Sequence, residues 1–154
     1  MRTPAVNYDQ YQTYQIKQGN VESSENPIFR YTQLTSRITR YLTFHLPSAG
    51  LDPPAVGQAP DLTIYYYVTG SETGRTPVQS YKIGWRAAPF IESGENFRLY
   101  RPNTLVLDVV DRALDELVWR GSVVLKTGEN GIDYRALSSD LGRLLRSYPA
   151  LPEK

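Results

Sequence analysis

The stretch DVVDRALDELVWRG, Asp108 to Gly121, places Asp108, Asp111 and Asp115 within eight residues and follows them with Glu116 and Arg120. Carboxylates grouped this closely suit two kinds of chemistry. A pair whose surroundings push their pKa values apart can act as general acid and general base. A converging group can hold a hard cation through oxygen ligands. Both need the acids in a cleft, so the elements carrying them decide.

Those elements read as a hairpin. TLVLDVVD and LVWRGSVVLK are strands joined by RALDE. With Asp111 opposite Leu117, Val109 faces Trp119, Leu107 faces Gly121 and Leu105 faces Val123. That face is apolar and belongs to the core, with Gly121 leaving room for a large neighbour such as a tyrosine from an adjacent strand. In the same register Val110 faces Val118 and Asp108 faces Arg120 on the outer face. A slip by one residue would turn Trp119 outward and Arg120 inward. Asp108 and Arg120 are then a cross-strand pair on the outer face, contributing roughly 0.2–1 kcal/mol. Asp111, Asp115 and Glu116 belong to an exposed turn, where acids are ordinary. The cluster reads as structural, and catalysis is not expected of it.

Other candidates are thinner. Glu92 and Glu95 match no metal spacing. GSETGRTP has its glycines too close for a phosphate loop and an arginine where lysine is required. There is no cysteine and one histidine, His45. Thiol nucleophiles and thiolate zinc sites are excluded, and a histidine zinc site nearly so. No metal and no cofactor is expected.

Lys+Arg is 17 and Asp+Glu 16, for a formal charge of +1. Nucleic-acid binders usually carry a strong basic excess, so no nucleic acid is expected as partner. No apolar run approaches the ~20 residues of a membrane span, and no signal peptide is visible. At 154 residues the chain suits one domain. Its 12 tyrosines are read mainly as strand packing.

Residues 1–9 read as a flexible leader, 10–150 as one domain and 151–154 as a tail. YQTYQIK, Tyr11 to Lys17, is a first strand with Gln12, Tyr14 and Ile16 on one face. Asn26 and Pro27 open a helix as N-cap and first residue. Its apolar stripe is Ile28, Tyr31, Leu34, Ile38, Tyr41 and Leu42, with His45 on or beside it. Arg30, Arg37 and Arg40 form a solvated face rather than a binding ridge. His45, near the helix end, is placed to bond free carbonyls or favour the dipole. DLTIYYYVT is a strand with Leu62, Ile64, Tyr66 and Val68 on one side and Thr63, Tyr65, Tyr67 and Thr69 on the other. VQSYKIGWR, Val78 to Arg86, is another, with Tyr81, Ile83 and Trp85 on one face. Asp133 caps a last helix striped by Tyr134, Leu137, Leu141, Leu144 and Tyr148, and Pro149 ends it.

Three stretches together resemble the DUF4136 family: APDLTIYYYV, YRPNTLVLDVVDRALDELVWRGS, and a final helix closing in LLRSYP. Pro60, Asp61 and Leu62 match the motif before the first alternating strand. Thr104, Leu105 and Asp108 match part of the second, and Leu117 to Gly121 match LVWRG in full. Asn103 stands where the family often has glycine, and asparagine tolerates the same left-handed turn. The resemblance implies a Gram-negative bacterial envelope protein, commonly a lipoprotein. A lipid-bearing cysteine would precede residue 1, holding the domain on the periplasmic side of the outer membrane. It implies no catalytic residues.

The expected architecture is α+β: one twisted sheet of about five strands with two helices packed on one face. The first strand, helix and second strand suit a parallel crossover. The core is expected at Leu34, Ile38, Leu42, Leu62, Ile64, Leu105, Leu107, Val109, Trp119, Val123, Leu137, Leu141 and Leu144. The expected function is non-enzymatic: a cell-envelope domain that binds another envelope protein or itself, with membrane contact only through the lipid anchor. The candidate interaction face is Tyr65, Tyr67, Asp108, Val110, Val118 and Arg120; the other reading of that face is a second layer of ordinary packing or a homodimer contact. The alternative is a small-ligand binder with a cleft between the helices and loop 47–60, which a concave pocket would favour. An enzyme is a distant third.

Overall fold

Valine, leucine and tyrosine are the commonest residues of the strand segments, and the helical segments carry leucine or isoleucine every three or four residues. The chain follows both periods. A computed structural model describes residues 6–18, 32–69, 81–82, 84–90, 103–128 and 131–149. Its strands are β1 (Tyr14–Gln18), β2 (Leu62–Val68), β3 (Thr104–Asp111) and β4 (Glu116–Val124), with a short ribbon of β5 (Thr127–Gly128) and β6 (Gly131–Ile132). The helices are α1 (Thr32–His45) and α2 (Tyr134–Leu145). The main sheet has the order β1-β2-β3-β4. β1 runs parallel to β2 and the other neighbours are antiparallel. A parallel pair needs a long crossover, and α1 lies in it. The protein is α+β with one sheet.

The sheet has four strands rather than about five. The expected strand at 78–86 is not one among the described residues. Lys82 makes a single bridge to Glu116, and Trp85–Phe90 is a 3-10 turn. Asn26, Pro27, Ile28, Arg30, Tyr31, Ile83, Glu92 and Glu95 lie outside the described residues.

One large core joins the helices to the sheet. It holds Leu34, Ile38 and Leu42 of α1, Leu62 and Ile64 of β2, Leu105, Leu107 and Val109 of β3, Trp119 of β4, and Leu137 and Leu141 of α2. Val123 and Leu144, also expected there, are only partly buried against it, and Leu145 is the buried leucine at the end of α2. Asp133 caps α2 through its side chain, which accepts from the Ala136 amide at 3.1 Å. Gly50, with φ of 81°, closes the 3-10 turn that follows α1.

The helices lie side by side. The Arg37 guanidinium sits 4.7 Å from the centre of the Tyr134 ring. His45 Nε2 donates to the Ser138 carbonyl at 3.2 Å, and a Cβ on Gly142 would come within 2.8 Å of the His45 ring. These contacts advance in step along both helices, so α1 and α2 run parallel. His45 thus bonds a carbonyl, as its type suggests, but one on the neighbouring helix.

The chain sits on the core from Val6 onward, inside the expected leader. Val6 and Tyr8 pack against the core, and Tyr8–Gln10 forms a 3-10 turn capped by Asn7.

The hairpin register needs one correction. Thr104↔Val124 through Val109↔Trp119 pair as expected, including Asp108↔Arg120. Beyond them Val110 pairs with Leu117 and Asp111 with Glu116, so Val118 is an extra residue in a β-bulge. The bulge sends Val118 into the main core beside Trp119 and turns Leu117 to the opposite face. The space left by Gly121 is also filled differently. An added Cβ there would lie 2.5 Å from Trp119 Cη2 and 2.8 Å from Leu144 Cδ1. The neighbours are the indole two residues back and a leucine of α2, not a tyrosine from an adjacent strand. Gly121→Ala is expected to lower the unfolding free energy by about 1–3 kcal/mol through overpacking. Urea unfolding reads this directly, and a Trp119→Phe background should relieve most of the loss.

Candidate functional site

The residues singled out as an outer face converge, but inside the protein. β3 is a central strand, and Asp108 has Tyr65 opposite it on β2 and Arg120 opposite it on β4. Arg120 Nε donates to Asp108 Oδ1 at 2.6 Å, and its Nη2 donates to Oδ2 at 2.8 Å. This is the two-point fork that fits guanidinium to carboxylate. Tyr67 donates its hydroxyl to Oδ2 at 3.0 Å and accepts from Arg120 Nη2 at 3.2 Å. Tyr81 donates to the same Oδ2. The Asp108 side chain is 0% exposed and that of Arg120 1%.

The outer-face pair is therefore buried, under a second layer of packing. Tyr67, Asp108, Val110, Val118 and Arg120 are buried, and Tyr65 is half-buried. Val118 is on the opposite side, in the main core. The rest do not form an open surface. Tyr81, Ala87, Val110 and Leu117 make a second small core over the outer sheet face, with Tyr65 packed against it. The Tyr65 and Tyr81 rings stack with centroids 5.0 Å apart. Tyr81 and Ala87 of this second core cover the charged pair.

Asp111 is not an exposed turn acid either. It is 8% exposed, and its Oδ2 accepts the Tyr11 hydroxyl at 2.7 Å. Its Oδ1 accepts the Leu114 amide at 3.0 Å, which fixes the turn. Glu116 pairs with Arg86 at 2.9 Å. Asp115 is exposed in the turn, as expected, and takes a left-handed φ of 55°. Asn103 does the same, with φ of 60°. Among the described residues no group of three acids or histidines could hold a metal.

Tyr8, Tyr11 and Tyr81 are participants that the sequence pattern did not mark. Tyr8 donates its hydroxyl to the Val118 carbonyl at 2.6 Å, at the bulge. Tyr148 packs edge-on between Tyr8 and Trp119. One signal was available. The outer positions of β3 read Val106, Asp108, Val110, a lone acid between two valines, and a strand apolar on both faces is usually covered on both.

Burial raises the Tyr8 phenol to about 12. Burial, then the Asp111 hydrogen bond, raises Tyr11. Burial also raises Tyr148, and burial with the Asp108 charge raises Tyr81. The unfolded phenols ionise near pH 10, so above that pH the unfolded state binds fewer protons than the native one. These groups' contribution is complete below about pH 10 and is lost as pH rises through the folded values. Unfolding free energy measured at successive alkaline pH values should fall from about pH 10 upward. Tyr8→Phe should flatten the part of the fall between pH 10 and about 12.

The stretches quoted for the family resemblance have identifiable tasks. Asp61 Oδ2 accepts the amides of Gln12 and Thr13 at 2.8 and 3.2 Å, pinning the approach to β1. The Pro60 carbonyl accepts from Arg112 Nε at 2.7 Å. In LVWRG, Leu117 fills the outer core, Val118 the bulge, Trp119 the main core and Arg120 the buried pair, while Gly121 gives Trp119 its space.

Two shallow clefts flank this framework. One of about 170 Å³ is lined by His45, Ser48, Ala49, Gly142, Leu145 and Arg146. It occupies the place expected for a ligand between helices and loop, but falls short of the roughly 300–1,000 Å³ usual for ligand sites. The other, about 200 Å³, lies by Tyr11, Asp61, Asp111 and Arg112. Neither is lined by Asp108 or Arg120.

No curated protein and no solved structure matches the chain. The model of a family described as a domain of unknown function, DUF4136, matches residues 2–149, nearly the whole chain. With the bulged LVWRG strand and the Pro-Asp-Leu anchor carrying its framework, the chain belongs to the DUF4136 family.

Proposed function

We propose that this chain is a non-enzymatic domain of a Gram-negative cell envelope, carried on the periplasmic side by an N-terminal lipid anchor and acting by protein binding or as a structural unit. The observation that supports this reading most is the closure of the Asp108 site. An acid that works as proton donor or acceptor must meet a substrate. Both Asp108 oxygens instead receive internal donors, and the side chain is sealed from solvent. The group acts as a clamp joining β2, β3, β4 and the segment at Tyr81.

Binding then falls to residues outside the clamp. Trp85 is 42% exposed with the Arg86 guanidinium 4.4 Å from its ring centre, and Leu114 in the hairpin turn is 45% exposed. Tryptophan and arginine are enriched in the energetic centres of interfaces. The test is a photo-cross-linker placed at Trp85 or Leu114 in cells, with exposed Thr39 on α1 as control. A discrete adduct with an envelope protein from the first two positions only is the expected result. Fractionation of the chain with cytosol, or the same adducts from all three positions, would overturn the reading.

A further inference from the structure

The charges of the two helices are segregated in a way neither helix shows alone. α1 contains Arg37 and Arg40 and no acid. The acid within α2, Asp140, is buried and paired with Arg143 and Lys126. Arg40, Arg135 and Arg146 are exposed. Among the described residues no carboxylate pairs with any of these three. Of the described exposed acids, Asp52, Asp61 and Asp115 lie in loops at the end of the sheet where β2 starts and β3 stops, Asp9 lies in the N-terminal 3-10 turn, and Asp133 caps α2 two residues before Arg135. Beyond that one cap, the exposed charges of the described helix layer are basic.

A large apolar side chain stands in that layer. Phe44 is 74% exposed, one helical turn after Arg40. Its ring meets the His45 ring edge-on at 5.0 Å, and His45 and Arg146 line the same cleft between the helices. Arg40 thus lies one turn from the phenyl ring on α1, and Arg146, at the C-cap of α2, lines the cleft beside the histidine that the ring meets. A soluble polyanion, or a duplex nucleic acid met through its phosphates, would satisfy the arginines but leave the ring in water. A bilayer of anionic phospholipid satisfies both: phosphates meet the guanidinium groups and the ring enters the headgroup–acyl boundary. The geometry points to the outer face of α1 and α2 as a docking surface for anionic lipid, separate from the clamp and from the Trp85 surface.

The experiment is co-sedimentation of the full chain with phosphatidylcholine vesicles, with or without phosphatidylglycerol, at low and high salt. Binding to the anionic vesicles alone, weakened by salt, is expected. Each basic residue near such a surface is worth about 1 kcal/mol, so Arg40→Gln with Arg146→Gln should weaken binding about 30-fold. Arg135→Gln with Arg146→Gln should weaken it similarly, and thermal unfolding confirms that these exposed changes leave the fold intact. Phe44→Ala should weaken binding with all arginines in place. Equal binding to both vesicle types, or no loss in the arginine variants, overturns the proposal. So does a Phe44→Ala chain that binds like wild type, which would make the face a site for soluble polyanions.

Discussion

Arg120→Ala is expected to lower the unfolding free energy by about 3–5 kcal/mol, the usual cost of breaking a buried ion pair by removing one partner. The variant keeps a carboxylate that is 0% exposed and removes the fork that neutralises it. Among the described residues the Tyr67 and Tyr81 hydroxyls would still donate to it. A solvent-exposed pair of the same residues would be worth about 0–1 kcal/mol, so urea unfolding separates the two cases cleanly. A measured loss below about 1 kcal/mol would mean that water reaches Asp108 and that the covering segment is not closed. A second arm asks what the pair is for. Replacing both partners together, Asp108→Leu with Arg120→Met, should recover most of the single-variant loss, because no charge is left behind. Full recovery with an unchanged fold would make the pair dispensable for stability. Recovery with altered strand pairing would make it a register device.

Trp119→Ala is expected to cost about 3–5 kcal/mol, the range for emptying a large aromatic from a core. The indole is 2% exposed, meets Phe90 and Tyr148 edge-on at 6.2 and 5.6 Å, and covers Gly121. Tyr148 connects it to Tyr8, so the loss should also loosen the N-terminal turn that bonds the bulge carbonyl. Far-UV circular dichroism through a urea series gives the stability. Fluorescence adds a check, because the chain has two tryptophans. The variant retains Trp85 alone, which is 42% exposed and should emit as an indole in water. A loss under about 1 kcal/mol would mean that the surrounding helices collapse into the space.

The inner half of this protein was legible residue by residue. Leu34, Ile38 and Leu42 recur by fours, and Leu62 and Ile64, like Leu105, Leu107 and Val109, alternate by twos. Each period puts its residues on one face, and that face is buried. The partnership of Asp108 with Arg120 was legible too, because the apolar face fixes the register and the register fixes the pair. Its burial was not. A strand pattern says which residues share a face; it does not say whether a distant segment covers that face. Here the cover comes from Tyr81 and Ala87, in a stretch whose alternation imitated a strand.

The bulge at Val118 marks the same boundary. Sequence alternation assumes one residue opposite one, and nothing local announces an extra residue. The carbonyl at the bulge is met by Tyr8, 110 positions away. The sequence by itself determined the α+β class, the hairpin pairing around Asp108 and most of the faces that meet the core, while the parallel pairing of β1 with β2 and the strand order came from the structure. Periodicity and charge opposition are properties of neighbours along one or two strands. Only the tertiary structure decided that the acid–base pair is dry, that Gly121 yields to its own Trp119, and that Arg146 of the second helix lines one cleft with His45, beside Phe44. Burial and surface charge are sums over segments far apart in the chain, and no window of sequence contains them.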